Sequence, residues 1–290
     1  LDTMPDGKET YFSPMIISLP ESGPETIIFG SGGETVSGHL YLTTLVDLLD
    51  GDIQSAQVLA SEENHGFIAP VLCTDMNGDS IPDIVGNSHA GTVFVLDGSN
   101  LRQIWQTRFE GVEVSNMPVA GHFTTLARKD LFCILSQGSF PENTGTIQLL
   151  IHGENGQVLH ADTLGCFGFS SPILIQTDED PFDEVMYCVN QYPNCGRLFT
   201  KNVTELRTAD FQEQVSSTVL HSVEGKNLGV TPSIIDLDGD QQPDLVQVVM
   251  ENFTSIYLQH GLSVLRSSPN FPPQHSPWGT YMGNRYTCEM

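Results

Sequence analysis

Two nine-residue stretches, DMNGDSIPD from Asp75 to Asp83 and DLDGDQQPD from Asp236 to Asp244, carry the densest chemistry in the chain. Each places oxygen-bearing side chains at its first, third, fifth and ninth positions, with Gly fourth and Pro eighth. These are Asp75, Asn77, Asp79 and Asp83 in the first stretch, and Asp236, Asp238, Asp240 and Asp244 in the second. Acids crowded this closely repel one another unless a cation sits among them. Hard oxygens at alternating positions suit Ca2+, which takes about 6–8 oxygens in flexible geometry; Mg2+ demands a tighter octahedron and keeps its water. The backbone carbonyls at the seventh positions, Ile81 and Gln242, complete each set together with water. The spacing therefore predicts two Ca2+ sites. Solvated acidic turns are the plainer alternative, because Asp, Asn and Gly are ordinary turn formers. The recurrence of one spacing in one apolar frame favours the cation.

That frame positions the loops. A short apolar segment opened by Pro precedes each one, PVLCT from Pro70 and PSII from Pro232, and another follows, IVGN from Ile84 and LVQVV from Leu245. Strand, loop, strand is a hairpin pattern. Weaker copies begin at Pro14, Pro118 and Pro172, so the unit recurs roughly every 55 residues, a period typical of propellers and other repeat arrays. A second hairpin follows in each unit, as in GTVFVLDGSNLRQIW from Gly91 and GTIQLLIHGENGQVLH from Gly145. Two hairpins per unit give four strands, the content of one propeller blade. No stretch sustains a helical period, which excludes an α-solenoid. The expectation is an all-β propeller of at least five blade-like units, starting near residues 14, 70, 118, 172 and 232 and occupying residues 1–268. An irregular Pro-rich tail or latch follows at 269–290.

The Asp-rich loops and their flanking strands resemble the FG-GAP repeats of integrin α-type and VCBS-type calcium-binding propellers, and IIFGSGGE from Ile27 echoes the name-giving motif. The run from Gly91 to Trp105 is similar to quinoprotein-type blades. The resemblance implies a propeller whose calcium loops lie between the first two strands of certain blades. The other copies depart from the pattern. The loop with Asp178, Asp180 and Asp183 is shortened and carries Pro181; GHFTTLARKD from Gly121 has Arg and Lys where acids belong; the first copy reads PESGPE. No metal is assigned to the last two.

Thirty-six acidic residues against 11 Lys and Arg give a net charge of −25. Such a field disfavours nucleic acid and anionic membrane and favours cationic partners. No apolar run approaches the ~20 residues of a membrane-spanning helix. The chain begins at Leu1, the mark of a processed or truncated product that is either a closed five-bladed ring or part of a longer propeller. Six cysteines permit three disulfides. The expected pair is Cys188–Cys195, closing the short VNQYPN loop, whereas Cys73 and Cys133 lie in strand-like runs as buried thiols. The sequons at Asn202 and Asn252 would accept N-glycans in a secretory pathway. Calcium loops, cysteines and sequons together predict an extracellular or cell-surface setting, where Ca2+ affinities of about 10⁻⁴–10⁻³ M suffice.

Signatures of catalysis are missing: there is no HExxH, no GxSxG and no CxxC. GSGG from Gly30 lacks the Lys of a phosphate loop and reads as a tight turn. His39, His89 and His122 each neighbour a Gly and are candidates to line one propeller face. The leading expectation is a secreted, calcium-stabilised structural, adhesion or protein-interaction module. Its partner is an extracellular protein, a glycan or further copies of itself. A carbohydrate-binding or polysaccharide-processing propeller is the alternative, and a quinone-dependent dehydrogenase a weaker third.

Overall fold

The computed structural model describes residues 3–19, 23–191, 195, 202–212, 215–240, 242–251 and 261–267. Each repeat unit becomes one antiparallel sheet whose strands lie in chain order. The first holds β1 (Met15–Leu19), β2 (Gly23–Gly30), β3 (Gly38–Thr44) and β4 (Gln57–Glu62). The second holds β5 (Leu72–Thr74), β6 (Asp83–Asn87), β7 (Thr92–Leu96) and β8 (Gln103–Arg108). A two-residue β9 (Val112–Glu113) then joins the third sheet, made of β10 (Val119–Gly121), β11 (Asp130–Gln137), β12 (Gly145–Ile151) and β13 (Val158–Thr163). The fourth contains β14 (Ile173–Ile175), β15 (Glu184–Gln191), β16 (Val203–Asp210) and β17 (Ser216–Glu224). In the fifth, β18 (Ser233–Ile235), β19 (Asp244–Met250) and β20 (Leu262–Ser267) are described. One short helix, α1 (Leu45–Leu49), follows β3 and is capped by Thr44, whose Oγ1 accepts the Asp47 N–H at 3.1 Å.

In the second, third and fourth blades burial falls from the first strand to the last. Every residue of β5, β10 and β14 is buried. The fourth strands β13 and β17 are almost wholly exposed. This gradient is the packing of a β-propeller, with first strands crowded at the axis and last strands at the rim. β10 lies beside both β5 and β14, as neighbouring axial strands must. The second strands explain why long apolar runs were needed: β11 and β15 are buried at every position except their last, because sheets cover both of their faces. The main core runs from blade to blade through Leu72, Val85, Phe132, Leu174 and Tyr187.

Polar side chains tie the blades together. Trp105 Nε1 donates to the Gly153 carbonyl at 2.6 Å, joining the rim strand of the second blade to the third. Buried amides perform the same task nearer the axis. Asn87 donates to the Asn116 carbonyl at 2.9 Å, and Asn190 to the Asn227 carbonyl at 2.9 Å. Each pair links a second strand to the segment that leads into the following blade.

The disulfide differs from the expected pairing. Cys195 is bonded to Cys166, with Cα atoms 5.1 Å apart, and Cys188 is a buried thiol. Cys188 lies within β15, which continues to Gln191 and carries the chain away at about 3.3 Å per residue. Cys166 instead docks at the end of that strand, its N–H donating to the Asn190 carbonyl at 2.8 Å. Sequence proximity suggested the wrong partner because the cross-strand contact is made by the link between blades. Cys73 and Cys133 are buried in β5 and β11, as expected. The tail at 269–290 lies outside the described residues.

Candidate functional site

Antiparallel order sends the connections between first and second strands to one end of the propeller. The connections between second and third strands, and the links between blades, go to the other end. The acidic loops occupy the first end. Pairing places one acid of the second to fifth blades in the same position, opposite the last residue of the first strand: Asp83, Asp130, Glu184 and Asp244. The four acids are buried. Asp83 and Asp244 were legible as ninth positions of the loops, whereas Asp130 and Glu184 were missed because the sequences before them depart from the pattern.

These acids hold the loop backbone. Asp83 accepts the N–H groups of Met76 at 2.8 Å, Asn77 at 3.1 Å and Gly98 at 3.0 Å. Burial pushes its carboxyl above the usual range, and those three N–H groups oppose the shift. Asp130 accepts the Gly153 N–H at 3.4 Å and the Arg128 guanidinium at 3.0 Å. Gly98 and Gly153 reach these acids only because they lack side chains. A Cβ on Gly98 would stand 1.8 Å from the Pro82 carbonyl oxygen, and one on Gly153 would stand 2.1 Å from that of Lys129.

The preceding loop residues curl the chain by accepting N–H groups just ahead of them. Asp75 takes Gly78 and Ser80, Asn77 takes Asp79, and Asp79 takes Ile81. Asp236, Asp238 and Asp240 repeat the arrangement with Gly239, Asp240 and Gln242. In the fourth blade Asp178 and Asp180 accept from Asp180 and Phe182. Among the described residues two acidic clusters that could hold a metal ion result, Asp236–Asp238–Asp244 and Asp178–Asp180–Glu184, each with one oxygen per residue within 4.8 Å of the others. The buried member of the fourth-blade cluster is Glu184. Asp183 turns to the third blade instead and accepts the His122 N–H at 2.7 Å. Burial pushes Glu184 up to about 7, with Asp178 and Asp180 adding to the rise. In the first loop, Asn77 Nδ2 donates to Asp83 at 3.2 Å, and no cluster of three acids closes there.

The opposite end holds a cavity of about 730 Å³, lined by turns within the blades and by the links between them. Among the described residues three carboxylates line it, Glu9, Glu34 and Glu113, and no Lys or Arg does. His89, in the turn between β6 and β7, also faces it and is 2 % exposed. Of the three histidines nominated for one face, His39 bonds Ser61 Oγ at 2.8 Å on the first blade and His122 sits among the loops at the other end. Only His89 lines the cavity. Asn202 is 6 % exposed, and its sequon partner Thr204 is buried with Oγ1 donating to Asn190 Oδ1 at 2.9 Å. Asn252 lies outside the described residues. No helix among the described residues is long and apolar enough to cross a membrane.

No protein-family model matches the chain, and no curated protein does. Among solved structures it is similar to a europium-containing methanol dehydrogenase, at 12 % identity and TM-score 0.47 over 79 % of this chain and 48 % of that one. It is also similar to the rhamnogalacturonan lyase YesW, at 13 % identity and TM-score 0.49 over 93 % and 51 %. BamB from Moraxella catarrhalis follows at 11 % identity and TM-score 0.39 over 88 % and 65 %. The chain spans about half to two thirds of the length of these proteins.

Proposed function

We propose that the chain is an extracellular, calcium-stabilised β-propeller of the FG-GAP kind that serves as a non-catalytic structural, adhesion or protein-interaction module. The observation that carries this reading is the gathering of Asp236, Asp238 and Asp244 around one point, in a loop whose spacing recurs from Asp75 to Asp83. The donors are all hard oxygens, which fits Ca2+. Asp75, Asn77, Asp79, Asp83 and the Ile81 carbonyl would hold one ion. Asp236, Asp238, Asp240, Asp244 and the Gln242 carbonyl would hold the other. Each ion neutralises a self-repelling loop and adds its binding free energy to that of folding, about 2.7 kcal/mol at a hundred times its dissociation constant. The Cys166–Cys195 bond supports an oxidising compartment.

A second reading, a carbohydrate-binding or polysaccharide-processing propeller, draws on the acid-lined cavity, whose carboxylates can accept sugar hydroxyls. The lack of a basic lining residue among the described residues disfavours acidic polysaccharides. A glycan array combined with a depolymerisation screen separates the two. Polysaccharide cleavage by the purified chain would overturn the non-catalytic reading.

A further inference from the structure

The His89 ring has a fixed tautomer and an unmet acceptor. Its Nδ1 lies 3.0 Å from the Val114 carbonyl oxygen, which can only accept, so Nδ1 carries the hydrogen. Nε2 of the neutral ring is then a bare lone pair. It is buried and has no hydrogen-bond partner among the described residues. The nearest charged group is Glu113 Oε2 at 3.8 Å, held in place by the Phe140 N–H at 2.8 Å. Two acceptors facing one another across this gap call for a donor with more than one hydrogen. An ammonium group offers three.

We infer that the cavity is a binding site for an organic ammonium ligand, whose charged head is held between His89 Nε2 and the Glu113 carboxylate. Glu9 and Glu34 extend the negative lining, and among the described residues no basic side chain lines the cavity to compete with the cation. Phe140 and Phe169, edge to face at 5.8 Å, supply wall for the ligand's apolar part and ring faces that attract a cation. At about 730 Å³ the space suits a small molecule or an inserted side chain. Burial holds His89 below its ordinary range, so the ring does not become the cation that Glu113 lacks. A tightly held zinc-type ion is a poorer occupant, since such sites use three or four protein ligands. Among the described residues, such acid and histidine groups close up only in the loops at the other end.

The ammonium group could belong to a free amine or to a lysine of a partner protein. The test is calorimetric titration of the whole chain in calcium with four probes: phenethylamine, a lysine-containing peptide with blocked termini, phenethyl alcohol and phenylacetate. The amine or the peptide is expected to bind at least about tenfold tighter than the alcohol, and phenylacetate not at all. Glu113→Gln, which keeps the side-chain shape, and His89→Phe should each weaken the binding by roughly tenfold or more. Tighter binding of the peptide assigns the site to a protein partner, and tighter binding of phenethylamine to a small molecule. Equal affinity for amine and alcohol, no binding of either ammonium probe, or wild-type affinity in Glu113→Gln would overturn the inference. The site lies away from the acidic loops, so a failed calcium response leaves it untouched, and its own failure leaves the calcium reading untouched.

Discussion

Arg266 Nη2 stands 2.6 Å from Asp244 Oδ2, so the buried acid of the fifth-blade loop already has an internal counter-ion. The same nitrogen lies 2.5 Å from Asp238 Oδ2, and its guanidinium lowers the Asp238 pKa. In the third blade Arg128 Nε stands 3.0 Å from Asp130 Oδ1. Asp83 relies on backbone N–H groups. One buried acid recurs through four blades, held by backbone N–H groups in the second and fourth and paired with an arginine in the third and fifth, and in the fifth that arginine stands where the proposed metal ion would sit.

Arg266→Ala should therefore tighten calcium binding at the fifth-blade loop by about two- to fivefold, the worth of a partly exposed ion pair. The metal-free protein should melt lower. Calcium titration by calorimetry at fixed salt measures the first effect, and melting in EGTA the second. Unchanged affinity would show that Arg266 is not a competitor.

Asp130 separates the structural duty of these acids from metal binding, because the third-blade loop has Arg128 and Lys129 where ligands would be. Asp130→Ala strands the Arg128 guanidinium and the Gly153 N–H. It should cost about 3 kcal/mol in urea unfolding, with or without EGTA. A loss that calcium abolishes would contradict this.

Close approach at Gly98 makes a steric prediction. Gly98→Ala must move the Pro82 carbonyl, since the added Cβ falls 1.8 Å from it. A loss of more than about 3 kcal/mol is expected, the mark of a named packing violation. Gly111→Ala, at φ +71° with open space around it, should cost only about 1–2 kcal/mol of backbone strain. Equal stabilities of the two variants would refute the packing account.

Burial lowers the pKa of His89, with His65 acting in the same direction and the Val114 carbonyl, Glu113 and Glu34 opposing. The unfolded chain thus binds more protons at this residue in the window just below the ordinary value of 6.5. The stability it contributes is fully present above that value and is lost as pH falls through the window. Urea unfolding at a series of pH values should give a slope shallower in His89→Phe than in wild type, by at most about 1.4 kcal/mol per pH unit. Parallel slopes would remove His89 from the account.

Much of the architecture was legible in the sequence, because blade geometry rests on local signals. Apolar runs of strand length, Gly-containing turns and the recurring prolines define four strands per unit, and the five sheets begin where those prolines stand. Asp236, Asp238 and Asp244 were legible for the same reason, since one loop contains them all. What escaped lies across strands or blades. Cys166 reaches Cys195 through an inter-blade link, Arg266 reaches Asp244 from the neighbouring strand, and Glu113 reaches His89 from the entry to the next blade. Glu184 escaped because Pro181 and the shortened loop hide its equivalence to Asp83, which only strand pairing reveals.

Thermal unfolding in millimolar Ca2+ and in EGTA, at equal ionic strength, tests the calcium account most directly. Two sites at saturation should raise Tm by roughly 10 °C, and Asp236→Asn with Asp75→Asn should remove most of that gain. Superimposable transitions in the two buffers would contradict it.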